Sequence, residues 1–471
     1  PSLHGVQARG RGLLPDTPTL FKIFRDHGYK APNIAYLTDI TNFSNLGLGP
    51  RESGILSEAA QPGQELFQWL HRHHREKFIL WYHYRFLHLP YDPPDPYNIF
   101  LTGEMKARLE SKALKTVLTE SVIPYDSISF TPEEQEAVIA LYDGRLRELD
   151  HFLERLYKRL TRWNLHRNTL LVITSDHGEE LFEHGFLGHA STAIHSTLYD
   201  EVLKIPLILY GPSRVKGGVR MKKQVRQVDI MPTILDAAGL PLPETLNGVS
   251  LLPRIQGREE EKSLDALSET VMGGYQRRPD QETITLRSIR TEPFKLICVD
   301  EDGEETCRLF DLSQDKGEKT DISDVKQEIA KGLRGKLKKS FEEMQARRLV
   351  MLAGQKPLFT REDIPKDARL EKPVILFPPQ GSTIHLEEQG GRMALRWTGR
   401  KDLAYVIEYD AGQGWRNLKG AIPVQGNEKV FGPLPREAWE PLPYWNPYRI
   451  RVAPYGLEEY WSDWLEFNLE R

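Results

Sequence analysis

Thiols, long apolar runs and a surplus of either charge are all scarce in this sequence, and each scarcity excludes something. Only two cysteines occur in 471 residues, Cys298 and Cys307, too few for a disulfide-built scaffold and wrongly spaced for zinc. They flank Asp300-Glu301-Asp302-Gly303-Glu304 symmetrically, so in a hairpin they face one another across the strands. A disulfide is open to them, but the expectation is two packed thiols. No segment approaches the roughly 20 uninterrupted apolar residues that a bilayer span requires. A net charge of -4 with both signs interspersed builds no polycation, which argues against nucleic acid as a partner. The chain opens on Pro1-Ser2-Leu3-His4-Gly5-Val6, with neither an initiator Met nor a charged, then apolar leader.

What is present is a globular chain: 39% hydrophobic residues and length for about two to four domains. Its most informative run is Leu170-Leu171-Val172-Ile173-Thr174-Ser175-Asp176-His177-Gly178-Glu179. An apolar strand stops abruptly on a carboxylate and an imidazole, and the carboxyl ends of strands are where α/β enzymes build sites. Asp176 offers oxygen and His177 nitrogen to a divalent cation, and Gly178 permits the tight backbone that presents both. A plain strand end with a polar turn is the competing reading until the flanking sequence is weighed.

Helical spacing of Leu20, Ile23 and Phe24 predicts a helix over Thr17 to Gly28, followed by an extended segment through Leu37. Phe78 to Tyr82 reads as a buried strand ending in the proline-stiffened loop Phe86 to Pro94, with His88 at its mouth. Thr131-Pro132-Glu133-Glu134 starts a long helix whose face carries Val138, Leu141, Phe152, Leu156 and Leu160. Strands at Leu170 to Thr174 and within Ile205 to Pro212 follow, and this alternation predicts a mostly parallel sheet covered on both faces. Thr283 to Arg290, Phe294 to Val299 and Arg308 to Leu312 predict a small antiparallel layer, and Val325 to Met351 a charged helix running into a linker at Gln355 to Lys372. From Pro373 short strands separated by Gly and Pro predict an all-β sandwich, whose end, Tyr448 to Val452 with Trp461-Ser462-Asp463-Trp464, resembles a fibronectin type III module.

Taken in order, the blocks resemble a sulfatase of the alkaline phosphatase superfamily over roughly residues 1 to 325. Ser175 to Glu180 with Glu183-His184-Gly185, Leu198-Tyr199-Asp200-Glu201, Gln227 to Leu235, Asn247 to Leu252 and Arg287 to Leu312 carry the likeness. It implies an α/β fold with a mostly parallel sheet sandwiched by helices over 1–254 and a C-terminal subdomain over 255–325. A helix and linker over 326–372 and the sandwich over 373–471 complete the expected organisation. The resemblance makes Asp176 and His177 ligands of a divalent metal, calcium with magnesium as the alternative. It sets His88 to donate to a sulfate oxygen and His189 against the transferring group, with His195 also in the substrate-binding set and His184 as the rival for the place of His189. An imidazolium there would protonate the departing alcohol. A sulfated small molecule or glycan is the implied substrate, and a periplasmic or secreted location is implied with it.

One departure is plain. The family's Asp pair, its Cys-x-Pro-x-Arg motif, where formylglycine is made, and its Lys-x-His segment, with Leu37 to Asn42 where it would fall, are all lacking. Pro1 to Val6 resembles the segment just after the nucleophile motif. The expectation is therefore a chain cut from its own beginning, with formylglycine upstream of residue 1 and no activity in residues 1–471 alone. Two other functions stay in play: a phosphomonoesterase or phosphodiesterase on the same scaffold, and an inactive relative that binds a glycan or protein. For the latter Trp397, Trp415, Trp439, Trp445, Trp461 and Trp464 could stack on sugar rings, although filling the sandwich core is the favoured role.

Overall fold

The computed structural model describes residues 17–34, 46–49, 62–211, 213–215, 217–260, 263–274, 284–301, 303–353, 371–389, 392–411, 418–431, 446–454 and 460–470. They fall into two compact units, one formed by residues 18–35 and 47–340 and the other including Phe341–Arg471. Pro1 to Val6, Leu37 to Asn42, Gln355 to Leu370 and the tryptophans 415, 439 and 445 lie outside the described residues.

The first unit carries helices α1 (Leu20–Asp26), α2 (Gln64–His73), α3 (Gly103–Arg108), α4 (Lys112–Thr119), α5 (Pro132–Arg162), α6 (Ala190–Ala193), α7 (Asp200–Leu203), α8 (Ile230–Ala238) and α9 (Leu252–Ile255). Its first strands are β1 (Leu171–Thr174), β2 (Glu180–Leu181), β3 (Leu187–Gly188) and β4 (Leu207–Tyr210). Thr19 caps α1 by accepting from Lys22 N–H at 3.2 Å. Thr131 and Glu134 cap α5 reciprocally, and Pro132 occupies the first helical position, where a missing N–H costs nothing. The apolar face of α5 divides its packing. Val138 and Leu141 bury with Leu114 and Val117 of α4, whereas Phe152, Leu156 and Leu160 bury with Leu66, Trp69 and Leu70 of α2. Each such side chain contributes about 1.5–3 kcal/mol on leaving water.

The sheet corrects the parallel expectation. β1 and β4 pair antiparallel, with Leu171 opposite Tyr210 and Thr174 opposite Leu207. Among the described residues, parallel pairing in this unit is confined to a bridge between Lys30 and Phe78, and the rest of the expected Phe78–Tyr82 strand joins no ladder. The reason lies between the two strands: a parallel connection needs a covering crossover helix, and residues 175–206 hold only a two-residue hairpin and four-residue helices.

Beyond α9, strands β5 (Ala266–Val271), β6 (Thr285–Arg290), β7 (Phe294–Glu301) and β8 (Glu304–Asp311) form the expected antiparallel layer in sequential order. Leu286, Ile297 and Phe310 from this layer pack with Leu198 and Tyr199, which lead into α7. Cys298 stands opposite Cys307, and the two form a disulfide, not the expected pair of thiols. Directly opposed positions of an antiparallel ladder bring the two Cβ atoms within bonding reach. Beneath this layer Lys295 is wholly buried, with Nζ 2.9 Å from Asp200 Oδ1 and 2.8 Å from Glu318 Oε1, while Arg290 grips the other side of Asp200 at 2.8 Å. Helix α10 (Gln327–Ala353) follows, as its charged pattern predicts.

In the second unit β9 (Ile375–Phe377), β10 (Thr383–His385), β11 (Met393–Trp397), β12 (Ala404–Ala411), β13 (Leu418–Gln425), β14 (Glu428–Phe431), β15 (Tyr448–Pro454) and β16 (Leu465–Glu470) make two sheets. Their orders are β10-β16-β15-β12-β13 and β14-β11-β9. Leu395 and Trp397 of the smaller sheet share one core with Tyr405, Ile407, Val452 and Phe467 of the larger. Trp461 and Trp464 are not core residues, because Arg451 lies over both rings, 4.5 and 4.7 Å from their centroids. Among the described residues no helix is long and apolar enough to cross a membrane.

Candidate active site

Where β1 ends, the chain turns out of the sheet and is fixed by backbone capture. Ser175 Oγ donates to the His177 carbonyl at 2.5 Å, and Gln227 Nε2 donates to the carbonyls of Ser175 and Asp176 at 3.2 and 3.3 Å. Gly178 N–H donates to Val202 O at 2.8 Å and Glu179 N–H to Glu201 O at 3.1 Å. A Cβ on Gly178 would stand 1.9 Å from the Glu201 carbonyl oxygen. Close approach to α7, not unusual torsion, is what requires glycine here.

This turn presents Asp176 and His177 side by side, with Oδ2 of one 3.6 Å from Nε2 of the other. Because a carbonyl can only accept, the 2.7 Å contact between His177 Nδ1 and Gly178 O puts a ring proton on Nδ1, so that the neutral form of the ring carries its lone pair on Nε2. Burial pushes Asp176 up, but the charges of His177 and His83 and two backbone N–H groups outweigh it and hold the carboxyl below its usual range. One carboxylate oxygen and one imidazole nitrogen 3.6 Å apart therefore suit two positions around a divalent cation. His83, whose own value burial lowers and Asp176 raises, is a neighbour that the sequence reading missed.

From His177 the rings run inward. The imidazole of His189 lies 3.9 Å from that of His177, and the ring of His88 meets His189 edge-on at 5.2 Å. Three histidines separated by up to 101 positions thus form one succession beside Asp176. His88 Nδ1 donates to Leu89 O at 2.9 Å, again leaving Nε2 unprotonated, and burial lowers its affinity for a proton.

His189 departs from expectation. It is only 5% exposed, its Nδ1 lies 3.0 Å from Glu179 Oε1, and its Nε2 lies 2.8 Å from Ser191 Oγ. Burial first and the His177 charge second push its pKa down to about 3. A neutral ring donating from Nδ1 to the carboxylate and accepting the Ser191 hydroxyl at Nε2 satisfies all three groups. His189 has no nitrogen left for a transferring group and is no proton donor at neutral pH, so the expected direct contact is replaced by a packing and orienting position between His177 and His88. Glu179, pushed up to about 7 by burial, and Ser191 were not singled out from sequence. The neighbouring carboxylate in Asp-His-Gly-Glu was the one signal that could have raised Glu179.

Neither of the other histidines joins this succession. His195 stacks on Tyr125 at 4.5 Å and meets Phe186 at 5.2 Å. His184, the rival for the place of His189, faces Glu180 at 3.1 Å and Glu201 at 3.8 Å, donates through Nε2 to Gly317 O at 3.0 Å, and stacks on Tyr199 at 3.6 Å. Glu180, His184 and Glu201 each bring a ligand atom within 4.8 Å of the others, a second place where acidic and imidazole donors converge.

Three comparisons bear on this arrangement. Bovine (Bos taurus) Arylsulfatase K is 30% identical over 211 residues, which cover 44% of this chain and 37% of that protein. The Delta 4,5-hexuronate-2-O-sulfatase of Bacteroides thetaiotaomicron is 29% identical over 184 residues, covering 38% of this chain and 34% of that one. The chain therefore spans well under half the length of these curated relatives. Among solved structures, a phosphonate monoester hydrolase from Silicibacter pomeroyi shares the α/β fold, with a TM-score of 0.54 and 20% identity over 74% of this chain and 83% of that one. A second family model, the C-terminal region of N-sulphoglucosamine sulphohydrolase, matches residues 191–347. The sulfatase family model matches residues 2–240, half of the sequence and the whole histidine succession, and on that match the chain belongs to the sulfatase family.

Proposed function

We propose that this protein hydrolyses a sulfate ester on a hexuronate-bearing saccharide, with Asp176 and His177 as two of the ligands of a divalent cation. The observation that carries the reading is the unbroken succession Asp176, His177, His189, His88 at the end of β1. Support for the saccharide comes from the hexuronate-2-O-sulfatase likeness. Calcium is the ion we favour, with magnesium as the alternative, since a carboxylate oxygen suits either.

When bound, such a cation would polarise the sulfuryl oxygens, on which charge accumulates in the transition state. Asp176 and His177 would hold it with the carboxylate oxygen and the free Nε2. His88 would bind a sulfate oxygen through Nε2, and for that it must take up a proton, which an anionic ester beside it favours. His189 sets the angle between those two rings and excludes water from behind them. The motif in which the family's formylglycine nucleophile is made does not occur among these 471 residues.

The Cys298–Cys307 disulfide supports a periplasmic or secreted location, because such bonds persist in oxidising compartments. The two-sheet C-terminal unit is read as a fibronectin type III-like domain. Phosphoryl chemistry is not favoured, since both family models and both curated relatives are sulfate-releasing enzymes by name.

The test is sulfate release from 2-O-sulfated hexuronate saccharides by protein made from the full coding sequence in a host that forms formylglycine. Turnover that drops at least 100-fold in Asp176→Ala is the expected result. Faster cleavage of the matching phosphate ester, or full activity in that variant, would displace the assignment.

A further inference from the structure

Away from the histidine succession, α2 and the last two turns of α5 enclose a groove of about 730 Å³. Its charged lining is of one sign. Arg155, Lys158, Arg159 and Arg162 come from α5 and no carboxylate residue lines it, while α2 adds the imidazole of His71. That concentration is unusual in a chain whose net charge is -4.

Two of these cations are held in place. The guanidinium carbons of Arg159 and Arg155 lie 4.0 and 5.2 Å from the centre of the same ring, Phe67, and Arg159 also donates to the Arg155 carbonyl at 3.3 Å. A guanidinium held against a ring still has further N–H donors for an oxyanion. Lys158 is paired with Glu154 at 2.6 Å, but among the described residues none of the three arginines has a carboxylate partner. Partial burial, and then the neighbouring Arg155 and Arg162, weaken the hold of Arg159 on its own proton, as crowding of like charge requires.

The ordinary reason for basic residues at a helix C-terminus is the dipole. It accounts for Arg159 and Arg162, which occupy the last turn. It accounts equally for His71, which lies in the last turn of α2, but not for Arg155, a turn earlier in α5. Nor does it explain Trp163, which closes the groove with one face stacked on His74 at 5.4 Å.

We propose that this groove is a binding subsite for a sulfated glycan chain, made from residues separate from the hydrolytic centre. The inference rests on the saccharide sulfatase reading above and deepens it. From Arg155 to Arg162 the helix rises about 10 Å, so its forks meet successive anionic groups of an extended chain instead of one ion. Trp163 offers an apolar plate to a sugar ring between them. Each captured anion keeps the polymer near the enzyme between turnovers.

The experiment measures binding of the full chain to a heparin dodecasaccharide, its desulfated counterpart, and a single-stranded oligonucleotide of equal charge. The variants are Arg155→Gln/Arg159→Gln/Arg162→Gln and, as a charge-matched control on another surface, Lys106→Gln/Arg108→Gln/Lys112→Gln, both checked for an unchanged melting profile. Expected are tight binding of the sulfated chain over the other two probes, at least tenfold weakening in the arginine triple, and a salt dependence shallower by about two to three counterions. The control triple should match wild type. Equal binding by the arginine triple, an equal loss in the control, or an oligonucleotide bound as tightly as the glycan would each overturn the subsite. Retention does not depend on turnover: sulfate release with unaltered retention in the arginine triple defeats the subsite alone. Arginine-dependent retention, with no sulfate release even by protein carrying formylglycine, supports the subsite and defeats the hydrolytic reading.

Discussion

Oε1 of Glu179 lies 3.0 Å from Nδ1 of His189, and both side chains are more than 90% withdrawn from solvent. Their proton affinities move in opposite directions, and so do their contributions to stability. Glu179 rises from 4.5 to about 7 on folding, so its contribution is full below pH 4.5 and is lost as pH climbs to about 7. That loss is roughly 3 kcal/mol. His189 falls from 6.5 to about 3, so below pH 6.5 the unfolded chain takes up a proton that the folded chain refuses, and stability declines toward pH 3. Glu179→Gln removes only the first effect. Relative to that variant, wild type should lose stability between pH 5 and pH 7 in urea titrations with chelator present, and a pH-independent difference would contradict the assignment.

Gly178→Ala tests the close approach at the end of β1. Its new methyl meets the Glu201 carbonyl at 1.9 Å, a backbone atom that cannot rotate away. We expect a loss of at least about 3 kcal/mol by the unit that contains it, in line with other severe overpacking. The expected readout is an early thermal transition in a two-transition melt, and an unshifted transition would mean that α7 stands farther off.

Removing Lys295 should be costly for electrostatic reasons. Lys295→Met strands Glu318 without a cation in a place where both side chains are fully buried. Breaking such a pair costs about 3–5 kcal/mol, whereas the double variant Lys295→Met/Glu318→Gln should recover part of it. Chemical denaturation of the two variants side by side distinguishes a charge penalty from a packing one.

Reduction of Cys298–Cys307 should lower stability modestly. Only nine positions separate the two residues, and closing so small a loop constrains the unfolded chain by about 2–3 kcal/mol. Cys298→Ala/Cys307→Ala should melt a few degrees lower and lose all sensitivity to dithiothreitol.

How much of this was legible depended on whether the information was local. Thr131 and Glu134 announce α5 within four residues, and Leu171 to Thr174 announce β1. The antiparallel sense of β1 and β4 was not legible, because apolar strands read alike in either direction. Asp176 and His177 adjoin in sequence, so their pairing could be expected. The engagement of His189 by Glu179 and Ser191 depends on how β2 and β3 fold back, which no spacing encodes. For the cysteines the facing register was foreseen from their symmetric turn, but not the bond between them. Aromatic residues misled for a related reason: Trp397 fills the core as expected, whereas Trp461 and Trp464 sit against Arg451, a partner visible only once β15 is placed.

Glu179 and Glu180 are consecutive, yet one serves His189 and the other His184, whose far nitrogen is tied to Gly317. The two side chains diverge where the chain enters β2 at Glu180, so two adjacent carboxylates act as a crossbar between the histidine array and the loop at Gly317. A slip of one position would hand each glutamate to the wrong imidazole. Strain arriving at the loop of Gly317 and Glu318 therefore has a short route, through hydrogen bonds and one peptide link, to the histidine succession, and substitutions there should be read first as disturbances of that succession.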